Sequence, residues 1–131
     1  MLTIHIDGAA RGNPGPAGIG IIARDGHKTI FEIGEYIGKT TNNVAEYSAL
    51  IRGLEEILIK GLKEAHFISD SELIVRQING EYKVKDENLK VLFLKAKALI
   101  SKMSKFSIKH IKREHNKEAD ALANQGIDGQ I

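Results

Sequence analysis

Leu2, Ile4 and Ile6 alternate with Thr3, His5 and Asp7, the period of two expected of a strand with one face in a core. Asp7 then falls on the opposite face, at the strand's last residues. The segment 8–18 is too rich in glycine and proline to continue a central strand. It is expected to form a compact turn in which the backbone approaches something closely. Residues 17–24 read as a second strand, Asp25-Gly26 as a hairpin signal, and residues 28–37 as a third strand. Three sequential strands with short links make an antiparallel meander.

The period then changes. Thr40-Thr41-Asn42-Asn43 opens a helix expected to reach about Lys60, because Tyr47, Leu50, Ile51, Leu54, Ile57 and Leu58 recur at helical spacing. An Asn or Thr at its start would satisfy free N–H groups, and Gly61 would end it. At 100° per residue Glu46 lies near Leu50 and Ile57, on the flank of the buried face and within the helix's first turn. A short strand over 65–69 ends at Asp70-Ser71, a helix follows over 72–78, and Asn79-Gly80 breaks the chain. A longer helix over 86–103 carries Leu89, Leu92, Phe93, Ala96 and Leu99 on one side and lysines on the other. Residues 106–111 alternate as a last strand. Lys112 to His115 form a polar loop, and Asn116 is expected to cap a final helix. Strand, helix, strand implies a crossover, so this part of the sheet is expected to be parallel. Asp70 would then stand at a strand's carboxyl end, where open α/β sheets place ligands. Residues 1–126 read as one domain and 127–131 as a frayed tail.

Composition narrows the chemistry. The chain has 131 residues, 42% of them hydrophobic and 27% charged, enough for a real core without disulfides. It has no cysteine, which excludes thiol nucleophiles and cysteine-ligated zinc. No apolar run approaches the roughly 20 residues that span a bilayer, so no membrane association is expected. The N-terminus enters a strand directly, without a secretion signal, and the expected location is cytoplasmic. The net charge is only +2, but residues 81–115 carry ten Lys or Arg against four Asp or Glu. Such an excess suits a polyanion, with salt-sensitive binding, and equally suits a solvated lysine face.

Four acids stand where strands end or helices begin: Asp7, Glu46, Asp70 and Asp120. Singly, Asp70 and Asp120 read as acids favoured by a helix dipole, Glu46 as a helix-edge residue and Asp7 as a turn residue. Spacing alone does not bring the four together.

The segments around them do match a known pattern. Ile6-Asp7-Gly8-Ala9 with Gly12-Asn13-Pro14-Gly15, Thr41-Asn42-Asn43-Val44-Ala45-Glu46, Ser69-Asp70-Ser71, and His115-Asn116-Lys117-Glu118-Ala119-Asp120-Ala121-Leu122-Ala123 occur in order, each with its acid. Over nearly its full length the chain resembles the type 1 ribonuclease H family. The resemblance implies an α/β, ribonuclease H-like fold: a five-stranded mixed sheet of order 3-2-1-4-5, strands 1–3 antiparallel, flanked by helices. It implies an endoribonuclease, a monomer, that hydrolyses the RNA strand of RNA–DNA hybrids and leaves 5′-phosphate and 3′-hydroxyl ends. Double-stranded RNA stands open as a second substrate.

Four carboxylates at close quarters raise one another's pKa unless cations compensate. Hard oxygen donors select Mg²⁺ or Mn²⁺, and two ions about 4 Å apart can clamp a phosphodiester. By the resemblance Asp7 bridges both ions, Glu46 and Asp70 hold the ion on the side of the attacking water, and Asp120 holds the other. RNA is told from DNA by its 2′-OH, to which Gly8, Ala9, Asn13, Asn42, Asn43 and Ser71 would offer backbone and polar contacts. Thr41 and Lys39 would meet a phosphate of the DNA strand. Plain helix capping is the other reading of Asn42 and Asn43.

Two departures stand out. The lysine- and tryptophan-rich protrusion of many members is here the short stretch 80–85, and the chain has no tryptophan, so Lys83, Lys85 and Lys90 become candidates for hybrid binding. The loop before Asp120 is shortened, leaving Arg113 or His115 as the auxiliary residue that assists product release. A non-catalytic hybrid- or double-stranded-RNA-binding module is the alternative from another class. An exonuclease or integrase relative on the same fold is a third, disfavoured because the first strand shows Asp7-Gly8-Ala9 rather than Asp-x-Glu.

Overall fold

A computed structural model describes residues 1–130. The meander comprises β1 (Leu2–Ala10), β2 (Gly15–Asp25) and β3 (Lys28–Thr40), followed by α1 (Asn42–Ile59), β4 (Glu64–Ser69), α2 (Glu72–Ile78), α3 (Glu87–Ile100), β5 (Lys105–His110) and α4 (Lys117–Asp128). The sheet order is β3-β2-β1-β4-β5. The first three strands pair antiparallel, and β4 and β5 pair parallel to β1 and to each other. Fold class and strand order are those expected from the sequence.

Alternation along the strands separates two layers. Ile4, Ile6, Ile19 and Ile21 on one face join Tyr47, Leu50, Leu54 and Ile57 of α1, with Phe67, Ile74, Leu89 and Ala96, in one apolar core. Each fully buried large side chain contributes on the order of 1.5–3 kcal/mol before entropy is counted. On the other face α4 lies across the meander, with Ala119, Ala123 and Ile127 fully buried.

Helix starts follow local chemistry. Thr41 accepts from Val44 N–H (3.3 Å), Ser71 from Ile74 N–H (3.4 Å) and Asp86 from Leu89 N–H (3.0 Å). Gly61, at φ +75°, follows the end of α1 in the left-handed region that glycine tolerates.

Several expectations need correction. The glycine- and proline-rich segment is mostly strand: β1 runs to Ala10 and β2 begins at Gly15, with Gly8 opposite Ile19 and Ala10 opposite Ala17. The glycines are there for helix approach. A Cβ on Gly8 would fall inside the backbone of Ala45 in α1, and one on Gly20 inside the backbone of Ala119 in α4. β3 extends to Thr40 beyond the expected Ile37, and α3 stops at Ile100 before Met103. Arg113 to His115 form a turn of 3₁₀ helix where a loop was expected. Glu46 is the fifth residue of α1 and so stands one turn in. The expected frayed tail begins too early: α4 continues to Asp128, Ile127 is buried against the sheet, and Asp128 pairs with Arg11 at 2.6 Å. Ile131, the last residue of that tail, lies outside the described residues.

Candidate active site

Asp7 is paired directly with Gly20 across the β1–β2 ladder, and directly opposed residues share a face. A side chain on Gly20 would run into Ala119, so Asp7 projects toward α4. Glu46 arrives from α1, on the other face, and its Oε1 accepts the Gly8 N–H at 2.6 Å. That contact exists because Gly8 lets the start of α1 settle on β1. Asp70 follows the last residue of β4, beside Asp7, since the ladder pairs Ile6 with Ser69. One oxygen each of Asp7, Glu46 and Asp70 lie within 4.8 Å of one another. Asp120, in the first turn of α4, comes close enough to Asp7 and Glu46 to raise the pKa of both. The four acids therefore share one pocket at the carboxyl ends of β1 and β4.

The charge of this pocket is only partly compensated. Asp7 is only 5% exposed. Burial, then Glu46 and Asp70, and then Asp120 push its carboxyl up to about 9. Glu46 is pushed up to about 8, chiefly by burial and further by Asp70 and Asp120, against the Gly8 N–H and the Arg113 guanidinium, which favour its anion. Among the described residues none of the four acids forms an ion pair within 4.0 Å. An all-oxygen donor set that cannot be fully ionised at neutral pH without added positive charge fits a hard divalent cation.

The remaining candidates fall into three groups. The first is a bonded corner beside the acids: Asn42 accepts the Ala10 N–H (2.9 Å) through its side chain and donates its backbone N–H to Asn13 Oδ1 (3.0 Å). It ties the β1–β2 connection to α1 while Thr41 does the capping. Asn13, Thr41 and Asn43 line a cleft of about 340 Å³ shared with Asp86 and Asn88 at the start of α3. Ala9 lies in β1, in the same connection, and Lys39 is exposed in β3 opposite Pro16.

The second group is Ser71, which caps α2 and whose N–H donates to the buried Ser69 Oγ (3.0 Å). The third is the turn before α4, which separates its two residues. Arg113 acts on Glu46, whereas His115 lies in a small polar pocket with His5, Glu114 and Glu118. His5 is shifted down from its ordinary value by burial and by Arg24, so it stays neutral near pH 7.

One residue that matters was read wrongly. Asn116 precedes α4, but its side chain makes no capping bond. The amide instead reaches the Ile6 carbonyl (2.9 Å) and Asp70 Oδ2 (3.3 Å). No sequence signal short of the tertiary fold points to a contact across 110 residues.

Comparison with known proteins bears on the same architecture. A family model described as "Reverse transcriptase-like" matches residues 5–126. The bifunctional protein Rv2228c of Mycobacterium tuberculosis is 42% identical over 129 residues, covering 97% of this chain and 35% of the relative. The chain thus spans about a third of the length of the first curated relatives it matches. A ribonuclease H of Methylococcus capsulatus is 34% identical, with 95% of this chain and 87% of the relative covered. Among solved structures, LC11-RNase H1, isolated from compost by a metagenomic approach and crystallised with an RNA/DNA hybrid, superposes with a TM-score of 0.95 at 47% identity over 99% of both chains. With strand order, acid placement and end-to-end similarity in agreement, the chain belongs to the type 1 ribonuclease H family.

Proposed function

We propose that this protein is an endoribonuclease that hydrolyses the RNA strand of RNA–DNA hybrids. The observation that carries the reading is the convergence of Asp7, Glu46, Asp70 and Asp120 into one pocket in which Asp7 and Glu46 resist ionisation. A module that only bound nucleic acid would gain nothing from four carboxylates facing phosphates. The four acids would hold two divalent ions, Mg²⁺ or Mn²⁺, which when bound supply the charge that activates water and stabilises the leaving oxygen of a phosphodiester.

The chain's own residues do the positioning. Gly8 N–H fixes one oxygen of Glu46. α4 brings Asp120 against Asp7, and Gly20 makes room for that approach. The Asn13–Asn42–Ala10 corner presents amides beside the acids, where a sugar edge of the RNA strand would be read by its 2′-OH. Thr41 lines the adjoining cleft, which supports a contact with a phosphate of the other strand. The action of Arg113 on Glu46 supports Arg113 rather than His115 as the auxiliary residue for product release.

The test is one assay: cleavage of a hybrid, of double-stranded RNA and of double-stranded DNA, with Mg²⁺, with Mn²⁺ and with chelator. Metal-dependent cutting of the hybrid's RNA strand, leaving 5′-phosphates, is the expected result. Binding of the hybrid without turnover in either metal would sink the reading in favour of a binding module.

A further inference from the structure

The residue before a helix ordinarily turns its side chain back to accept the first free N–H groups. Asn116 holds that position before α4 and does not do so. Its side chain is buried, 1% exposed, and Nδ2 spends both protons elsewhere, on the Ile6 carbonyl (2.9 Å) and on Asp70 Oδ2 (3.3 Å). Among the described residues the buried Oδ1 atom has no hydrogen-bond partner. Buried polar atoms are nearly always satisfied, so an orphaned one calls for an explanation.

The place of the amide supplies one. The β1–β4 ladder ends at the pair Ile6 and Ser69, where the strands part and Asp7 and Asp70 emerge. The amide N–H bonds the Ile6 carbonyl at this point of divergence. Its second proton fixes one oxygen of Asp70 and leaves the other for an ion. The backbone carbonyl of Asn116 also accepts the Asp120 N–H at 3.2 Å. One residue thus touches the residue before Asp7, Asp70 itself, and the helical turn that carries Asp120.

We infer that Asn116 is a positioning residue of the acid pocket, holding Asp70 and the end of β1 in the geometry that receives a divalent ion. The inference rests on the reading of the four acids as an ion site. A capping residue would serve α4 alone, and an apolar residue would fill the same space without an orphaned oxygen. Only a donor with two protons can bond Ile6 and Asp70 at once.

The experiment compares Asn116→Ala and Asn116→Ser with the unmodified protein in two measurements: Mn²⁺ affinity by calorimetry without substrate, and hybrid cleavage resolved into kcat and KM. Asn116→Ala is expected to weaken Mn²⁺ about tenfold and lower kcat about a hundredfold with KM within twofold, and Asn116→Ser, which keeps one donor, to fall between. Tyr47→Phe removes a buried hydrogen bond to Gln77 (2.6 Å) that involves none of the four acids. It is the control for a merely structural loss and should lower the melting temperature while leaving Mn²⁺ affinity unchanged.

In the unmodified protein the Asn116 side-chain amide should exchange slowly with solvent, and its NMR signal should shift with the midpoint of Mg²⁺ binding. This measurement decides the matter even where a variant does not fold. A fast-exchanging, metal-insensitive amide overturns the inference. So does Asn116→Ala with Mn²⁺ affinity and kcat within twofold of the parent, or Tyr47→Phe losing Mn²⁺ affinity as much as Asn116→Ala. A parent that binds no Mn²⁺ overturns the ion-site reading and the inference with it. A parent that binds it while Asn116→Ala is indifferent overturns the inference alone.

Discussion

Glu118 and Asp120 are two residues apart at the start of α4, and the fold treats them in opposite ways. Glu118 meets Arg24 in a two-pronged pair, 2.7 and 2.6 Å, on the surface, and the guanidinium holds its carboxyl below the usual range. Asp120 turns inward to three other acids, with no cation within 4.0 Å among the described residues. The chain can plainly supply an arginine to this helix, and it does so next door. Leaving the inner acids unpaired stores a repulsion that an added ion relieves, which separates a site from a surface charge network.

The comparison can be broken most forcefully at the inner acids. Asp7→Asn and Asp70→Asn each remove a ligand worth several kcal/mol of charge stabilisation. Mg²⁺-dependent cleavage of a hybrid should fall by about 10³-fold or more; near-normal turnover by either variant would end the argument. Glu118→Gln should leave cleavage within a few-fold of the parent.

Next in size is the approach of α4. Gly20→Ala places a methyl group in the backbone of Ala119, and overpacking of this kind costs about 1–3 kcal/mol. A fall in denaturant midpoint together with lost activity is expected, because the same displacement moves Asp120. Full activity with lowered stability would show that the pocket tolerates a shifted helix.

The repulsion itself should appear in the pH dependence of stability. Asp7 and Glu46 ionise in the unfolded chain near pH 4 but in the folded chain only near 9 and 8. The folded state therefore binds more protons in that window, and its stability falls as pH rises from about 4 to about 9. Melting curves in chelator should show the decline, added Mn²⁺ should offset it, and Asp7→Asn should flatten it while stabilising the metal-free protein at pH 7. A metal-free protein as stable at pH 8 as at pH 5 would contradict this. Smallest of all is Glu118→Gln: the Arg24 pair is exposed, and its loss should cost no more than about 1 kcal/mol in a chemical denaturation curve.

Much of this was legible before folding. Period-two alternation placed β1, period 3.6 placed α1 and its buried face, and residues 72–78 were delimited as α2 by Ser71 before them and Asn79-Gly80 after them. Glycine was misread around residues 8–18, because sequence rules treat it as a breaker. Here Gly8 stays in β1 and serves the helix pressed on it. Ile127 was lost to the tail because its burial depends on α4 meeting β2, which no local pattern reports.

The sequence by itself determined the elements, the strand order through its family resemblance, and which four acids to watch, since these follow from local periodicity and from short segments that each carry one acid. Only the tertiary structure decided that Asp7, Glu46, Asp70 and Asp120 meet with no direct ion pair among the described residues, and that the Asn116 side chain serves the sheet rather than its own helix. The reason is physical: burial, mutual repulsion and a hydrogen bond across 110 residues are properties of distances in space, and those exist only once β1, β4 and α4 have packed together.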